Sequence, residues 1–218
     1  MHFFSFSSRR DFLSRVSGLS ALAAIFPFKH LFASEFEKNK FGERMIERYP
    51  PFNDGRSKKV IFVAHCIINQ NARCNASAET PSAIPKIPEC LLKRHIGIIQ
   101  LPCPELGCLG LGREGLIYDQ LSTPGNRRYL KFIAQDVVYQ TRQYMKQGFK
   151  VLGVLGINCS PSCGVDCHAY EGEKPGSGAL IEELTEILKK AGLEIPVIGV
   201  MDAEPDKAVA AIEKLDPS

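Results

Sequence analysis

The chain contains no Cys-x-x-Cys. Its eight cysteines stand at 66, 74, 90, 103, 108, 159, 163 and 167, and the tightest spacings, 159/163 and 163/167, leave three residues between them. The dithiol signature of thioredoxin-like oxidoreductases is therefore missing. A phosphate-binding loop is missing too. Gly107, Gly110, Gly112 and Gly115 crowd one stretch, but no Gly-Lys-Ser or Gly-x-Gly-x-x-Gly leads from a strand into a helix, so the nucleotide-loop reading fails on context. No Ser, His and Asp fall into a convincing triad order. Charge is nearly balanced, 27 Lys and Arg against 24 Asp and Glu for a net +3. That leaves no electrostatic footprint for nucleic acid. Tryptophan is absent, and no internal repeat is visible. The apolar stretch Val16 to Phe28 is broken by Gly18 and several Ala and Ser, short of the ~20 apolar residues that span a membrane. No cysteine precedes Cys66, so no lipoprotein anchor is expected.

What is present begins with a targeting segment. Ser8-Arg9-Arg10-Asp11-Phe12-Leu13 resembles the twin-arginine export motif. A basic region, an apolar region and small residues around Phe32-Ala33-Ser34 follow in the order of an export signal. Residues 1–34 are thus expected to engage the twin-arginine machinery. The mature protein is expected in the periplasm, free or held at the membrane by an uncleaved signal. The plainer reading is a basic N-terminal helix. Residues 35–57 are charged and turn-rich, with Pro50-Pro51 and Asp54-Gly55, and read as a linker.

Residues 58–215 read as one domain. Apolar strands are expected at 59–64, 97–101, 151–157 and 196–201. Helices are expected at 84–94, at 127–147 with Leu130, Ile133, Val137, Thr141 and Tyr144 on one face, from a Ser177 cap to 191, and from Pro205 to 215. Residues 66–81, 102–126 and 159–178 read as loops. Alternating strands and helices imply an α/β fold, a single three-layer domain with a mostly parallel sheet.

Three of those strands deliver a thiol at the carboxyl end: Cys66, Cys103 and Cys163. Ligands of open parallel sheets bind at that edge. Thiolates from three separate loops are soft donors suited to iron–sulfur clusters or zinc, arranged as an open rather than a closed site. Buried cysteines or disulfides are the alternative.

The blocks Cys66 with Arg73, Cys103-Pro104-Glu105 and Ser160-Pro161-Ser162-Cys163-Gly164 resemble, in this order and at these strand ends, the 2-thiouracil desulfurase family. The resemblance covers about Lys59 to Met201. It implies a [4Fe-4S] cluster held by Cys66, Cys103 and Cys163 with one iron open, and catalytic assistance from Glu105 and Ser160. It also implies a small thiocarbonyl substrate that loses its sulfur. The first block departs from the family's Ser-Ala-Cys-Leu-Leu-Gly, reading Ala64-His65-Cys66-Ile67-Ile68-Asn69, and Cys74, Cys108, Cys159 and Cys167 are extra.

Each residue also has a plainer role. Glu105 is either a general base or a partner of Arg73 or Arg113. Ser160 either contacts the substrate or shapes a turn. Arg73 and Arg113 either clamp a substrate or form ordinary ion pairs. His65 and His168 flank cysteines as neighbours. Two further functional classes remain beside the enzyme: an electron-transfer or metal-binding module with a fully ligated cluster, and a zinc or thiol redox protein.

Overall fold

The computed structural model of the protein describes residues 52–170 and 172–217. The twin-arginine segment and most of the expected linker lie outside them. The compact unit begins at Phe52. Phe52 meets Phe149 edge-on at 6.0 Å between centroids, and the Arg56 guanidinium covers the Phe52 ring at 3.9 Å.

The first strand, β1, is Lys59–Ala64, and it runs directly into a short helix, α1, His65–Ile68. A 3-10 turn at Gln70–Ala72 follows, then α2 at Lys86–Lys93 and β2 at Gly97–Leu101. Helices α3, Pro104–Leu109, and α4, Tyr118–Leu121, precede the long α5, Pro124–Lys146. Strand β3 is Lys150–Ile157, and β4, Cys167–Tyr170, pairs with β5, Gly172–Pro175. Helix α6 spans Ala179–Ala191, β6 Val197–Val200 and α7 Pro205–Leu215.

The main sheet has the order β2-β1-β3-β6, and every pairing in it is parallel. Val60 to Ala64 of β1 are all buried, as expected of a strand covered on both faces. Edge strands β2 and β6 are more exposed. Right-handed crossovers place helices by direction of travel. The step from β1 to β2 runs one way, and those from β2 to β3 and β3 to β6 run the other. Accordingly α5 packs on α6, and α2 packs on α7. The three-layer α/β expectation therefore holds. The chain leaves β1 for β2 and returns on the far side to β3, so the carboxyl ends of β1 and β3 flank a topological switch point.

Several expectations of local structure need correction. Residues 159–178 are not all loop, because β4 and β5 form an antiparallel hairpin there. The 66–81 and 102–126 stretches contain α1, the 3-10 turn, α3 and α4. Helix α5 starts at Pro124 rather than 127, since Thr123 Oγ1 accepts the Asn126 N–H and Pro124 takes the first position. Ser177 does not cap α6. Its hydroxyl donates to the Val165 carbonyl, and Gly178 holds the cap position. The first amides of α6 find tertiary acceptors instead: Ala179 N–H donates to Pro161 O at 3.0 Å and Leu180 N–H to Ser162 O at 2.9 Å. Among the described residues no helix is long and apolar enough to cross a membrane.

Candidate active site

Cys66 sits on α1, one residue past the start of the helix that β1 feeds. The preceding His65 is occupied by its neighbours, with Nε2 3.0 Å from the Asn69 amide and Nδ1 2.8 Å from that of Gln100. Burial holds its pKa down. Cys103 is the N-cap of α3, where its sulfur accepts the Leu106 N–H at 3.4 Å. That position also places Glu105 in the first helical turn, facing the same cavity.

Cys163 closes the turn after β3. Asn158 Oδ1 accepts the N–H groups of Val165 and Asp166, both at 3.1 Å, and so draws the turn back on itself. Ser160 Oγ accepts the Cys163 and Ser162 N–H groups at 3.0 and 3.3 Å. The turn is thereby fixed from inside by Asn158 and Ser160, and from outside by the amides of α6. Cys163 is 5% exposed.

One cavity of about 420 Å³ is lined by Cys66, Cys103 and Cys163 together with Arg73, Glu105, Arg113 and Ser160. All seven residues singled out in the sequence therefore meet at one place. Burial is the largest influence on the three thiols. It pushes Cys66 up to about 11 against the opposing pull of Arg73, raises Cys103, and drives Cys163 well above the ordinary thiol range. Each thiolate also discourages the next: Cys163 faces Cys66, Cys103 and Glu105. Three thiols that resist ionisation singly are a set that a bound cation stabilises collectively.

The carboxylate of Glu105 is held on both sides. Oε1 accepts from the hydroxyls of Ser162 at 2.9 Å and Ser160 at 3.2 Å. Oε2 accepts from Arg113 Nη2 at 3.2 Å and Nε at 3.3 Å. The Arg113 side chain is 4% exposed, and its remaining bonds go to the carbonyls of Ala72 and Gly110. Arg73 is bound within the protein as well, to Asp202 at 2.6 Å and Ser77 O at 2.7 Å, and it lies beside the Cys66 sulfur. Both guanidinium groups thus line the cavity with protein partners already in place.

Sequence reading missed three members of this network. Ser162, 1% exposed, makes the shorter of the two serine bonds to Glu105. Asp202 receives Arg73 and also Gln70, whose amide donates to Asp202 at 3.1 Å and to Cys66 O at 2.9 Å. Asp202 follows the fourth strand, so the strand-end rule that located the cysteines would have found it. Gln70 carried no sequence signal.

The extra cysteines separate into kinds. Cys74 lies in the cavity wall, its sulfur 3.2 Å from Ser77 Oγ. Cys108 on α3 and Cys90 on α2 pack against the core. Cys159 and Cys167 stand together beside Glu173. The His168 ring packs 4.8 Å from the Tyr118 ring of α4, with Nδ1 3.1 Å from Gly176 O.

Over 162 residues the sequence is 32% identical to uncharacterized protein MJ0003 of Methanocaldococcus jannaschii, a match that takes in 73% of this chain and 98% of that one. The chain belongs to that protein's family. No family model matches it. Among solved structures, the [4Fe-4S]-dependent thiouracil desulfidase TudS is similar at 20% identity with a TM-score of 0.43, covering 71% of this chain and 98% of that one.

Proposed function

We propose that this protein is an iron–sulfur enzyme that removes sulfur from a small thiocarbonyl compound. The observation that carries the reading is the convergence of Cys66, Cys103 and Cys163 on one cavity beside a carboxylate held by two serines and an arginine. The donor set fits: Cys66, Cys103 and Cys163 are three soft sulfur ligands from three separate elements, converging on one cavity. Cys66, Cys103 and Cys163 would hold a [4Fe-4S] cluster, which when bound supplies a Lewis-acidic iron for a soft sulfur ligand. The motif resemblance described above supports the same assignment.

The overall change is C=S plus water giving C=O plus hydrogen sulfide, without net oxidation or reduction. The chain's own residues handle the protons. The Ser160 hydroxyl can turn to Ser162 Oγ, 3.2 Å away, which leaves Glu105 Oε1 to take the proton of the attacking water directly. Arg113 fixes the other carboxylate oxygen and keeps Oε1 turned toward the serines. Arg73 supports the Cys66 thiolate and is itself braced by Asp202.

The test is anaerobic reconstitution of single Cys→Ala variants, with iron, sulfide and desulfurisation of a thiolated nucleobase measured on each. Iron and activity should be lost at 66, 103 and 163 and kept at 90, 108, 159 and 167. Full iron content in Cys163→Ala would falsify the assignment. A second reading rests on Cys74 in the cavity wall: a fully ligated electron-transfer centre. It requires Cys74→Ala to lose iron and the wild type to lack desulfurisation.

Export is part of the proposal, supported by the motif from Ser8 to Leu13. Replacing Arg9 and Arg10 by Lys should leave the protein in the cytoplasm, as fractionation would show. Undiminished arrival in the periplasm would refute twin-arginine export.

A further inference from the structure

A second thiol centre lies at the rim of the cavity, distinct from the three convergent cysteines. Cys159 Sγ and Cys167 Sγ are 2.8 Å apart. The backbone keeps them together, because the Cys159 N–H donates to Cys167 O at 3.0 Å. Cys159 reaches this position in a left-handed conformation, φ +62°, which a residue with a Cβ adopts at a cost and which marks functional sites. Glu173 on β5 faces both sulfurs, with all three ligand atoms within 4.8 Å of one another.

Two thiols and a carboxylate in so small a space repel one another once ionised. Burial, Cys167 and Glu173 together push the Cys159 thiol up to about 12. Protonation of the thiols relieves the crowding, and so do a bond between the sulfurs or a cation among the three groups. A tetrahedral metal with sulfur at ~2.3 Å would set its two sulfurs well beyond their present separation. The observed contact therefore favours the bond.

We infer that Cys159 and Cys167 form a disulfide that clamps the site turn to the β4–β5 hairpin. An external disulfide closes it. One thiolate of the pair attacks R–S–S–R and releases RS⁻. The other then attacks the mixed disulfide and releases the second RS⁻. Two electrons pass from the pair to the external disulfide, which leaves as two thiols. Crowding that destabilises the reduced, ionised pair also favours the closed form, the reverse of oxidants whose reduced thiolate is stabilised. The clamp spans residues 159–167, which contain Ser160 and Cys163, so closing it rigidifies the element that presents both. Cys66, Cys103 and Cys163 are not consumed.

The experiment equilibrates the full-length protein with oxidised and reduced glutathione, blocks free thiols by alkylation and maps the peptides. A Cys159–Cys167 disulfide is expected even with reduced glutathione in excess. The amides of 159–167 should exchange hydrogen more slowly than in Cys159→Ser or Cys167→Ser. Complete alkylation of both cysteines under oxidising conditions would overturn the inference, as would pairing of either with Cys163. Stoichiometric zinc bound by Cys159 and Cys167, blocking oxidation, would overturn it in favour of a metal site.

Discussion

Replacing Glu105 by Gln should lower sulfide release from a thiolated nucleobase by about 10²–10⁴-fold, the range for loss of a general base, while iron and sulfide content stay at wild-type levels. Gln keeps the shape and removes the charge. If its oxygen turns to Arg113, its NH₂ faces the Ser160 and Ser162 hydroxyls. Ser160 Oγ already accepts two backbone N–H groups, and a hydroxyl has two lone pairs, so it cannot accept a third. If the amide flips, Arg113 is left facing a donor in a site where it is 4% exposed. Either arrangement breaks half of the network, and removing one partner of a buried pair costs about 3–5 kcal/mol of stability. A thermal melt therefore accompanies the assay. Wild-type turnover in a folded, cluster-bearing Glu105→Gln would end Glu105's role in proton transfer. Loss of iron along with activity would make it a residue that only shapes the site.

Replacing Gly164 by Ala should destabilise the protein by about 3 kcal/mol or more, lowering Tm by roughly 6–12 °C for a domain of this size, and should reduce bound iron. A methyl group at Gly164 would lie 2.1 Å from Cys167 O and 2.8 Å from Ser160 O. Both are backbone atoms, and both are engaged: Cys167 O accepts the Cys159 N–H at 3.0 Å and Ser160 O accepts the Gly164 N–H at 3.1 Å. No flexible side chain can move aside, so the turn must open, carrying Cys163 with it. Gly156 and Gly178 are close-packed in the same way, against Cys163 O and Ser162 O. Gly112 is the control. Nothing lies within 4 Å of a methyl there, and Gly112→Ala should change stability by less than about 0.5 kcal/mol. Equal melting temperatures for Gly164→Ala and wild type would show that the turn is not the rigid element described here.

Sequence pattern alone was enough to locate the four strands of the main sheet, their parallel sense and the three thiols at their carboxyl ends. Apolar runs such as Val60 to Ala64 can be buried only between two helical layers, and alternation with helices leaves few topologies. Helix starts were less legible: the Thr123-Pro124 signal was present and passed over, whereas the α6 start depends on carbonyls of Pro161 and Ser162 that no local pattern reveals. The β4–β5 hairpin escaped because its strands have only four residues each, with β5 fully exposed and thus without alternation to read. Tertiary structure alone decided the strand order β2-β1-β3-β6, which sets Cys66 and Cys163 across the switch point. It also decided who holds whom: Arg73 with Asp202, 129 residues away, and Glu105 with Ser160 and Ser162, 55 and 57 away. Such pairings depend on which strand ends the fold makes neighbours. Local propensity acts within a few residues, and only the assembled sheet brings those ends within hydrogen-bonding reach.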